Sequence, residues 1–356
     1  MLKIRKIGLL TGGGDCPGLN SAIKAVVNRA SIEKIKVIGI KDGWRGLVSS
    51  NLELCYEINN DIVSQIDRFG GTILGTSRTN PFYIKNGIQR LRNNLKSLNL
   101  DALIAIGGED TLGVVFRLFH EKNIKLVGIP KTIDRDLSYT KYTLGFESAL
   151  QVITDAVDSL RSTAESHSRI FIVEVMGRHA GHLALKASIS SGVSEVLIPE
   201  WNFDVKKICD RIVERRKTGI RYSIIMIAEG AKPIGGFESL QNKQKDEFGH
   251  VRLGGVGQWL SNEISCRTNL ESRSVNLSHL QRGGSPVAYD RRMGFYFGTA
   301  SVEAILKGKF GEMPALRNGL VTLVPIEKSV KELHVVDVDK FYDKEMYRAK
   351  FIFLNN

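Results

Sequence analysis

Short apolar runs, bordered or interrupted by glycine and spaced by stretches with helical periodicity, set the strongest limit on how this chain can fold. Lys6-Ile-Gly-Leu-Leu10, Lys36-Val-Ile-Gly-Ile40, Ala102-Leu-Ile-Ala-Ile106 and Leu126-Val-Gly-Ile129 are of this kind. Helix-like stretches cover Leu19–Ala30, Ile88–Leu98 and Thr111–His120. A strand with one wet face alternates polar and apolar residues, whereas a continuous apolar run is covered on both faces. Such runs imply parallel strands joined by crossover helices. A long helical pattern from Phe146 to about Ala164 precedes a second series, with strands expected at Arg169–Val175 and Tyr222–Ala228. The expected architecture is α/β, with two three-layer domains of mostly parallel sheet linked by the helix from Phe146. The stretch from Lys232 to Gly257, rich in Gly, Lys and Glu, reads as an extended loop.

The length agrees, since 356 residues make about two domains at ~150 residues each. No uncharged apolar run approaches the ~18 residues that cross a bilayer. The opening residues lack the apolar core and cleavage site of a secretory signal, so a cytoplasmic protein away from membranes is expected. Cys16, Cys55, Cys209 and Cys266 lie far apart with no C-x-x-C pair, which supports neither zinc nor a disulfide framework. Fifty basic against 38 acidic residues give a formal charge of +12 and predict anionic partners. The longest basic block is Arg215-Arg216-Lys217, at the end of a helix-like stretch where the dipole favours cations. That scatter favours small phosphorylated metabolites over nucleic acid.

In open α/β sheets, ligands sit beyond the carboxyl ends of the strands, and this chain carries its unusual residues there. Thr11-Gly-Gly-Gly-Asp-Cys-Pro-Gly-Leu-Asn20 follows the first strand. Gly13 and Gly14 let backbone N–H groups approach an anion, although a tight structural turn explains them equally. Pro17 breaks the dinucleotide fingerprint, and no Gly-Lys-Ser/Thr completes a P-loop. Glu109, Asp110 and Thr111 follow Gly107-Gly108 and read either as helix caps or as hard oxygen ligands for Mg²⁺. In Pro130-Lys-Thr-Ile-Asp-Arg-Asp136, an extended backbone would put Asp134 and Asp136 on one side with Lys131 near them. The segment is either a charged solvent loop or the heart of a phosphoryl-transfer site: a base, a carboxylate near the metal, and a lysine against phosphate. The second half adds Arg169 at a strand start, Arg178 in Met176-Gly-Arg-His-Ala-Gly181, and Arg273 before a strand expected to end at His279-Leu-Gln-Arg-Gly-Gly-Ser-Pro286. Arginine's planar fork matches phosphate oxygens. His279 alone reads as a hydrogen-bonded structural residue or as a ligand contact. Carboxylates with a glycine loop in one domain and strand-end arginines in the other outline a phosphosugar kinase cleft.

Six ordered blocks, Thr11–Asn20, Gly71–Arg78, Gly107–Gly113, Pro130–Asp136, Glu174–Gly181 and His279–Pro286, resemble the phosphofructokinase family from about Ile4 to Lys350. The resemblance implies an active site in the cleft between two domains. Residues 1–144 plus about 281–320 would bind the phosphoryl donor and Mg²⁺, and residues 145–280 plus about 321–350 would bind fructose 6-phosphate. It implies phosphorylation of that sugar's 1-hydroxyl. Asp134 corresponds to the base, Thr132 and Asp136 to its helpers, Arg178 to the group facing the phosphoryl in flight, and Glu109 with Asp136 to the metal ligands. Gly13, Gly14, Arg78, Asp110, Thr111 and Lys131 correspond to donor contacts. Met176, Gly177, Glu229 and Arg282 correspond to sugar contacts, and His279 and Arg282 to contacts of its 6-phosphate. Arg169 and Arg273 match 6-phosphate contacts that reach in from a neighbouring subunit, which implies a homodimer or homotetramer with shared sites.

Asp110 stands where ATP-using members have glycine, and its carboxylate would occupy and repel the space of the α-phosphate. With Lys131, it resembles the pyrophosphate-dependent branch of actinobacterial type. The substrates expected are then fructose 6-phosphate and pyrophosphate, and the products fructose 1,6-bisphosphate and phosphate, in a reversible step of glycolysis and gluconeogenesis. The alternatives are an ATP-dependent kinase of this fold, one that takes sedoheptulose 7-phosphate, or a non-catalytic sugar-phosphate sensor. Two departures stand out. Arg135 replaces a customary asparagine, and Lys24 and Asn28 replace effector-binding arginines, which implies weak allosteric control.

Overall fold

The apolar runs assemble into two separate sheets in a computed structural model that describes residues 4–236 and 255–350. The first sheet contains β1 (Lys6–Thr11), β2 (Lys36–Ile40), β3 (Cys55–Ile58), β4 (Ala102–Gly107) and β5 (Leu126–Pro130) in the order β3-β2-β1-β4-β5. All pairs are parallel except β2–β3. Along β1, Ile7 and Leu9 enter one buried cluster and Leu10 enters the other. The first cluster includes α1 (Leu19–Ile32) and α10 (Ala288–Leu306), which pack on each other. The second includes the short α2 (Trp44–Val48), α4 (Gly87–Ser97) and α5 (Glu109–Lys122). Burial on both faces is why these strands read as continuous apolar runs. A one-turn helix, α3 (Asn60–Val63), lies beyond β3.

The second sheet is fully parallel, in the order β7-β8-β6-β9, built from β6 (Ile170–Val175), β7 (Glu195–Leu197), β8 (Ser223–Ala228) and β9 (Ser272–Asn276). Its helices are α6 (Phe146–Ser166), α7 (His182–Ser191), α8 (Val205–Lys217) and α9 (Val256–Thr268). The fully buried Asp290 of α10 secures the start of α6. It accepts from Gly145 N at 2.6 Å, Ser148 N at 2.8 Å, Ser148 Oγ at 2.7 Å and the Tyr142 hydroxyl. A buried carboxylate is tolerable here because it faces a helix N-terminus and has its lone pairs occupied.

Two sequence expectations change, and a third lies mostly outside the described residues. Arg273 lies inside β9, and His279 belongs to a 3₁₀ turn over Ser278–Arg282. The strand is therefore displaced towards the N-terminus of the one expected, because its pairing with β6 runs from Ile170 opposite Ser272 to Glu174 opposite Asn276. Of the loop expected at Lys232–Gly257, residues 237–254 lie outside the described residues, and its last two residues open α9. The chain also stays with the first sheet beyond residue 320. A hairpin of β10 (Glu312–Arg317) and β11 (Leu320–Pro325) lies beside β5, and α11 (Ile326–Lys331) lies on α5. Residues 332–337 then cross to the second sheet. There α12 (Val338–Phe341) and the pair β12 (Tyr342–Asp343) and β13 (Arg348–Ala349) dock, with Tyr342 Oη donating to Val196 O at 2.7 Å.

Candidate active site

The C-terminal ends of β1, β4 and β5 face those of β6 and β8 across a cleft. It is lined by Gly13, Gly14, Arg78, Gly108, Glu109, Asp110, Thr111, Lys131, Thr132, Asp134, Asp136, Arg178, His179, Glu229 and Arg282. At the glycine loop, Gly12 N donates to Ile106 O at 2.9 Å and Gly13 N to Ser77 O at 3.0 Å. Gly13 holds φ +76°, a region side chains rarely enter, and a Cβ on Gly14 would run into the Arg282 guanidinium. Arg282 Nη1 donates to Asp15 O at 3.1 Å, so a residue of the second half is fastened to the first loop. Lys131 is 3% exposed and its ammonium donates to the Gly14 carbonyl. Burial pushes its pKa below the ordinary lysine value. The loop's tight turn and its charged lining are thus one device.

Helix α5 is capped by Gly108 without a side-chain bond, so neither Asp110 nor Thr111 serves as its N-cap. Glu109 and Asp110 instead occupy the first turn, where the dipole favours anions, and both line the cleft. They also line an adjoining cavity of about 450 Å³ together with Asn80, Tyr83, Phe116 and Arg117. Asp110 therefore stands between two spaces.

After β5 the backbone is not extended as expected. Arg135 has φ +56°, the left-handed region where asparagine is comfortable and arginine is not. Its side chain does not line the cleft or stand in solvent. The guanidinium lies 5.4 Å from the Phe146 ring centroid, half-buried, with Glu147 partly offsetting the desolvation that depresses its pKa. The left-handed residue turns Arg135 away while Asp134 and Asp136 both face the cleft. Thr132 Oγ1 accepts from Asp134 N at 3.1 Å, and Thr143 Oγ1 donates to Thr132 O at 2.6 Å. Asp134 Oδ1 and Asp136 Oδ1 are buried with no hydrogen-bond partner among the described residues. Burial first, then the charges of Asp134 and Glu109, pushes the Asp136 carboxyl up to about 7. Partnerless carboxylate oxygens crowded by like charge fit a divalent cation. Among the described residues, no three ligating side chains converge on one point.

From the second half, Arg178, Glu229 and Arg282 reach the cleft. Burial, then Asp134, pushes Glu229 up to about 7, against the pull of Arg178. His179 is also in the lining although the sequence reading passed over it, inside a block already singled out. The other expected residues are elsewhere. Met176 and Gly177 precede Arg178, with Met176 N donating to Gln281 Oε1 at 3.1 Å, but neither lines the cleft. Arg169 and Arg273 are outside it and share Glu271, at 2.8 and 2.7 Å. His279 is exposed outside it, its Nδ1 3.0 Å from Ser278 Oγ.

With that geometry in view, a family profile described as phosphofructokinase matches residues 6–305. The chain belongs to the phosphofructokinase family. It is 48% identical over 344 residues to the pyrophosphate–fructose 6-phosphate 1-phosphotransferase of Amycolatopsis methanolica, covering 96% of this chain and 99% of that relative. It is also 44% identical over 342 residues to ATP-dependent 6-phosphofructokinase 3 of Streptomyces coelicolor, again covering 96% and 99%. The solved phosphofructokinase of Saccharomyces cerevisiae matches with a TM-score of 0.78 and 30% identity, over 92% of this chain but only 45% of that longer one. The fold is that of the phosphofructokinases, and relatives of both donor types are similarly close. Among the described residues, no helix is long and apolar enough to cross a membrane.

Proposed function

We propose that this phosphofructokinase transfers a phosphoryl group reversibly from pyrophosphate to the 1-hydroxyl of fructose 6-phosphate, giving fructose 1,6-bisphosphate and phosphate. One observation carries the donor: Asp110 lines both the cleft and the adjoining cavity, so its carboxylate stands between them. A nucleotide whose γ-phosphate lay in the cleft would have to pass its α-phosphate beside that carboxylate. At close range in a partly dry site, such like-charge contact costs on the order of several kcal/mol. Pyrophosphate ends before it. Gly13, Gly14, Arg78 and Thr111 then cradle the donor, and Lys131 offsets its charge while securing the Gly14 turn.

On the acceptor side, Asp134 takes the proton of the 1-hydroxyl, with its backbone held by Thr132. Glu229 and Arg282 hold the sugar, and Arg178 meets the charge that develops on the phosphoryl group. Glu109 and Asp136 would hold Mg²⁺, whose remaining ligands would be phosphate and water oxygens, the usual habit of this ion. The metal supplies charge neutralisation at the transferring phosphate. Met176 and Gly177 act by fixing the Arg178 loop. Arg169, Arg273 and His279, which lie outside the cleft, fit a 6-phosphate site completed by a second copy, so the working form is a homodimer or homotetramer. Because Lys24 Nζ is already held by Asp67 Oδ1 and Ser64 O, both at 2.7 Å, effector control should be weak. A screen with ADP and phosphoenolpyruvate checks this: the fructose 6-phosphate saturation curve should move less than about twofold, a difference of ~0.4 kcal/mol.

The ATP reading has its own support in the cavity beyond Asp110, whose size is within the range of small-ligand sites. Parallel assays with pyrophosphate and ATP decide between them. Strong turnover with pyrophosphate alone is expected. Asp110→Gly should then gain ATP turnover by about tenfold or more over the parent. ATP turnover no better than the parent's would sink the steric account, and binding of fructose 6-phosphate without turnover of either donor would leave a sensor.

A further inference from the structure

The two halves of the cleft are carried by different sheets, and catalysis by this reading requires their side chains to meet within a few tenths of an ångström. Arg282 joins the two halves directly, and Glu200 is a second side chain placed where both loops can be fixed at once. Glu200 follows β7 and uses a single oxygen, Oε1, to accept from Gly181 N at 2.9 Å and Val336 N at 2.8 Å. Gly181 ends the loop that carries Arg178 and caps α7. Val336 lies near the end of the crossing segment 332–337.

That crossing segment is itself tied to the loop of the two aspartates. His334 N donates to Asp136 O at 2.7 Å, and His334 Nδ1 lies 3.1 Å from Arg135 O. Leu333 bridges antiparallel to Leu137, and Ser138 Oγ donates to Glu332 O at 2.9 Å. From the other side, His182, next to Gly181, stacks on the His334 ring at 4.3 Å and 14°, with its Nε2 3.1 Å from His334 O. A carbonyl only accepts, so His182 carries its proton on Nε2 and His334 on Nδ1. The run Asp136–His334–Val336–Glu200–Gly181–Arg178 is therefore continuous through hydrogen bonds and adjacent chain. Space leaves it little freedom: a Cβ on Gly181 would come within 2.6 Å of Ile198 Cβ and 2.7 Å of Glu200 Oε2. Oε2 itself is buried with no hydrogen-bond partner among the described residues, so the carboxylate is kept there at a cost that its other oxygen must offset.

We propose that Glu200 is a positioning residue that sets the separation between Arg178 and the Asp134–Asp136 pair by joining the Gly181 turn to the crossing segment. The inference rests on the proposed reaction, in which those groups act on one phosphoryl group. Nothing in the chemistry touches Glu200, and its effect should appear in kcat rather than in substrate capture.

The test pairs kinetics with backbone hydrogen exchange on the full chain. Glu200→Ala should lower kcat about 10–100-fold while moving the fructose 6-phosphate KM less than about threefold, the cost expected of a misplacement near 1 Å. It should also lose exchange protection at both 178–182 and 333–337. Glu200→Gln, which keeps an acceptor oxygen at the same reach, should stay within about threefold of the parent. If Glu200→Ala fails to fold, Glu200→Asp keeps the charge but withdraws the oxygen, and should show the same split in milder form. A kcat within about twofold of the parent, protection lost at one segment only, or a Gln variant as poor as the Ala variant would each overturn the proposal. If the parent turns over neither donor, the functional reading fails, and the exchange data alone decide whether Glu200 joins the two segments.

Discussion

The donor half and the acceptor half of the cleft are built to different standards. On the first sheet the charged groups are folded into the backbone: Lys131 is almost fully buried on the Gly14 carbonyl, and Asp134 and Asp136 stand on a kinked loop tied to the crossing segment. From the second half Arg178, His179, Glu229 and Arg282 reach the cleft, while Arg169 and Arg273 lean on Glu271 away from it. A site for two phosphates and a metal cannot tolerate slack, since its charges are close and poorly hydrated. A site for a distant 6-phosphate can be finished by a neighbouring molecule. On the proposed reading, the contrast teaches that one chain holds the whole reaction centre but only part of the acceptor's grip.

The sharpest way to break that contrast is at its centre. Asp134→Ala should lower kcat by about 10²–10⁴-fold in both directions, the range for loss of a general base, with little change in fructose 6-phosphate KM. Initial rates with pyrophosphate, and with phosphate in reverse, measure it. A loss under tenfold would move the base elsewhere in the cleft.

Next in size is the acceptor's outer grip. Arg273→Ala should raise the fructose 6-phosphate KM about 10–100-fold, the worth of a charge-assisted bond to phosphate, while kcat changes little. Mixing it with Asp134→Ala protein after dissociation and reassembly should recover activity, because a hybrid regains one intact site. No recovery, in a mixture shown to have exchanged subunits, would place all contacts within one chain.

Glu229 tests whether the acceptor side is strained by its own charge. Its carboxyl is raised to about 7 by burial beside Asp134. Below its unfolded pKa, the folded and unfolded chains both hold the proton and the group contributes nothing. As pH rises from there to about 7, the unfolded chain releases the proton while the folded chain keeps it, so stability falls; above that it is level. Glu229→Gln removes the fall. The variant should be more stable than the parent by on the order of 3 kcal/mol at pH 8, and equal to it near pH 4, by denaturant melts at both. An equal difference at the two values would mean that packing, not ionisation, is responsible.

Much of this was legible in the sequence because apolar runs and strand-end glycines are local signals. The strands at Lys36–Ile40 and Ala102–Gly107, and helix α6 from Phe146, lie within a residue or two of expectation. What failed depended on partners distant in the chain. Arg273 falls inside β9 because pairing with β6 fixes the register, which spacing alone does not reveal. Asp134 and Asp136 share a side, but through a left-handed Arg135 rather than an extended strand. Glu200 and His334 gave no signal, since an acid and a histidine so far apart look like ordinary surface residues until the crossing segment brings them together. His179 lay inside a quoted block and was missed for want of any rule about which side of Arg178 would be wet.

Arg135 offers the smallest effect and the finest distinction. Its backbone conformation suits asparagine better, by on the order of 1 kcal/mol, while its guanidinium gains about 0.5–1 kcal/mol over the Phe146 ring. Arg135→Asn exchanges one for the other, so stability should stay within about 1 kcal/mol and kcat within about threefold. Both terms lie on the side of the loop that faces away from the cleft. A fall in kcat beyond tenfold, with stability unchanged, would mean that the guanidinium is felt by Asp134 and Asp136 through the protein. The reaction centre would then extend behind the loop as well as in front of it.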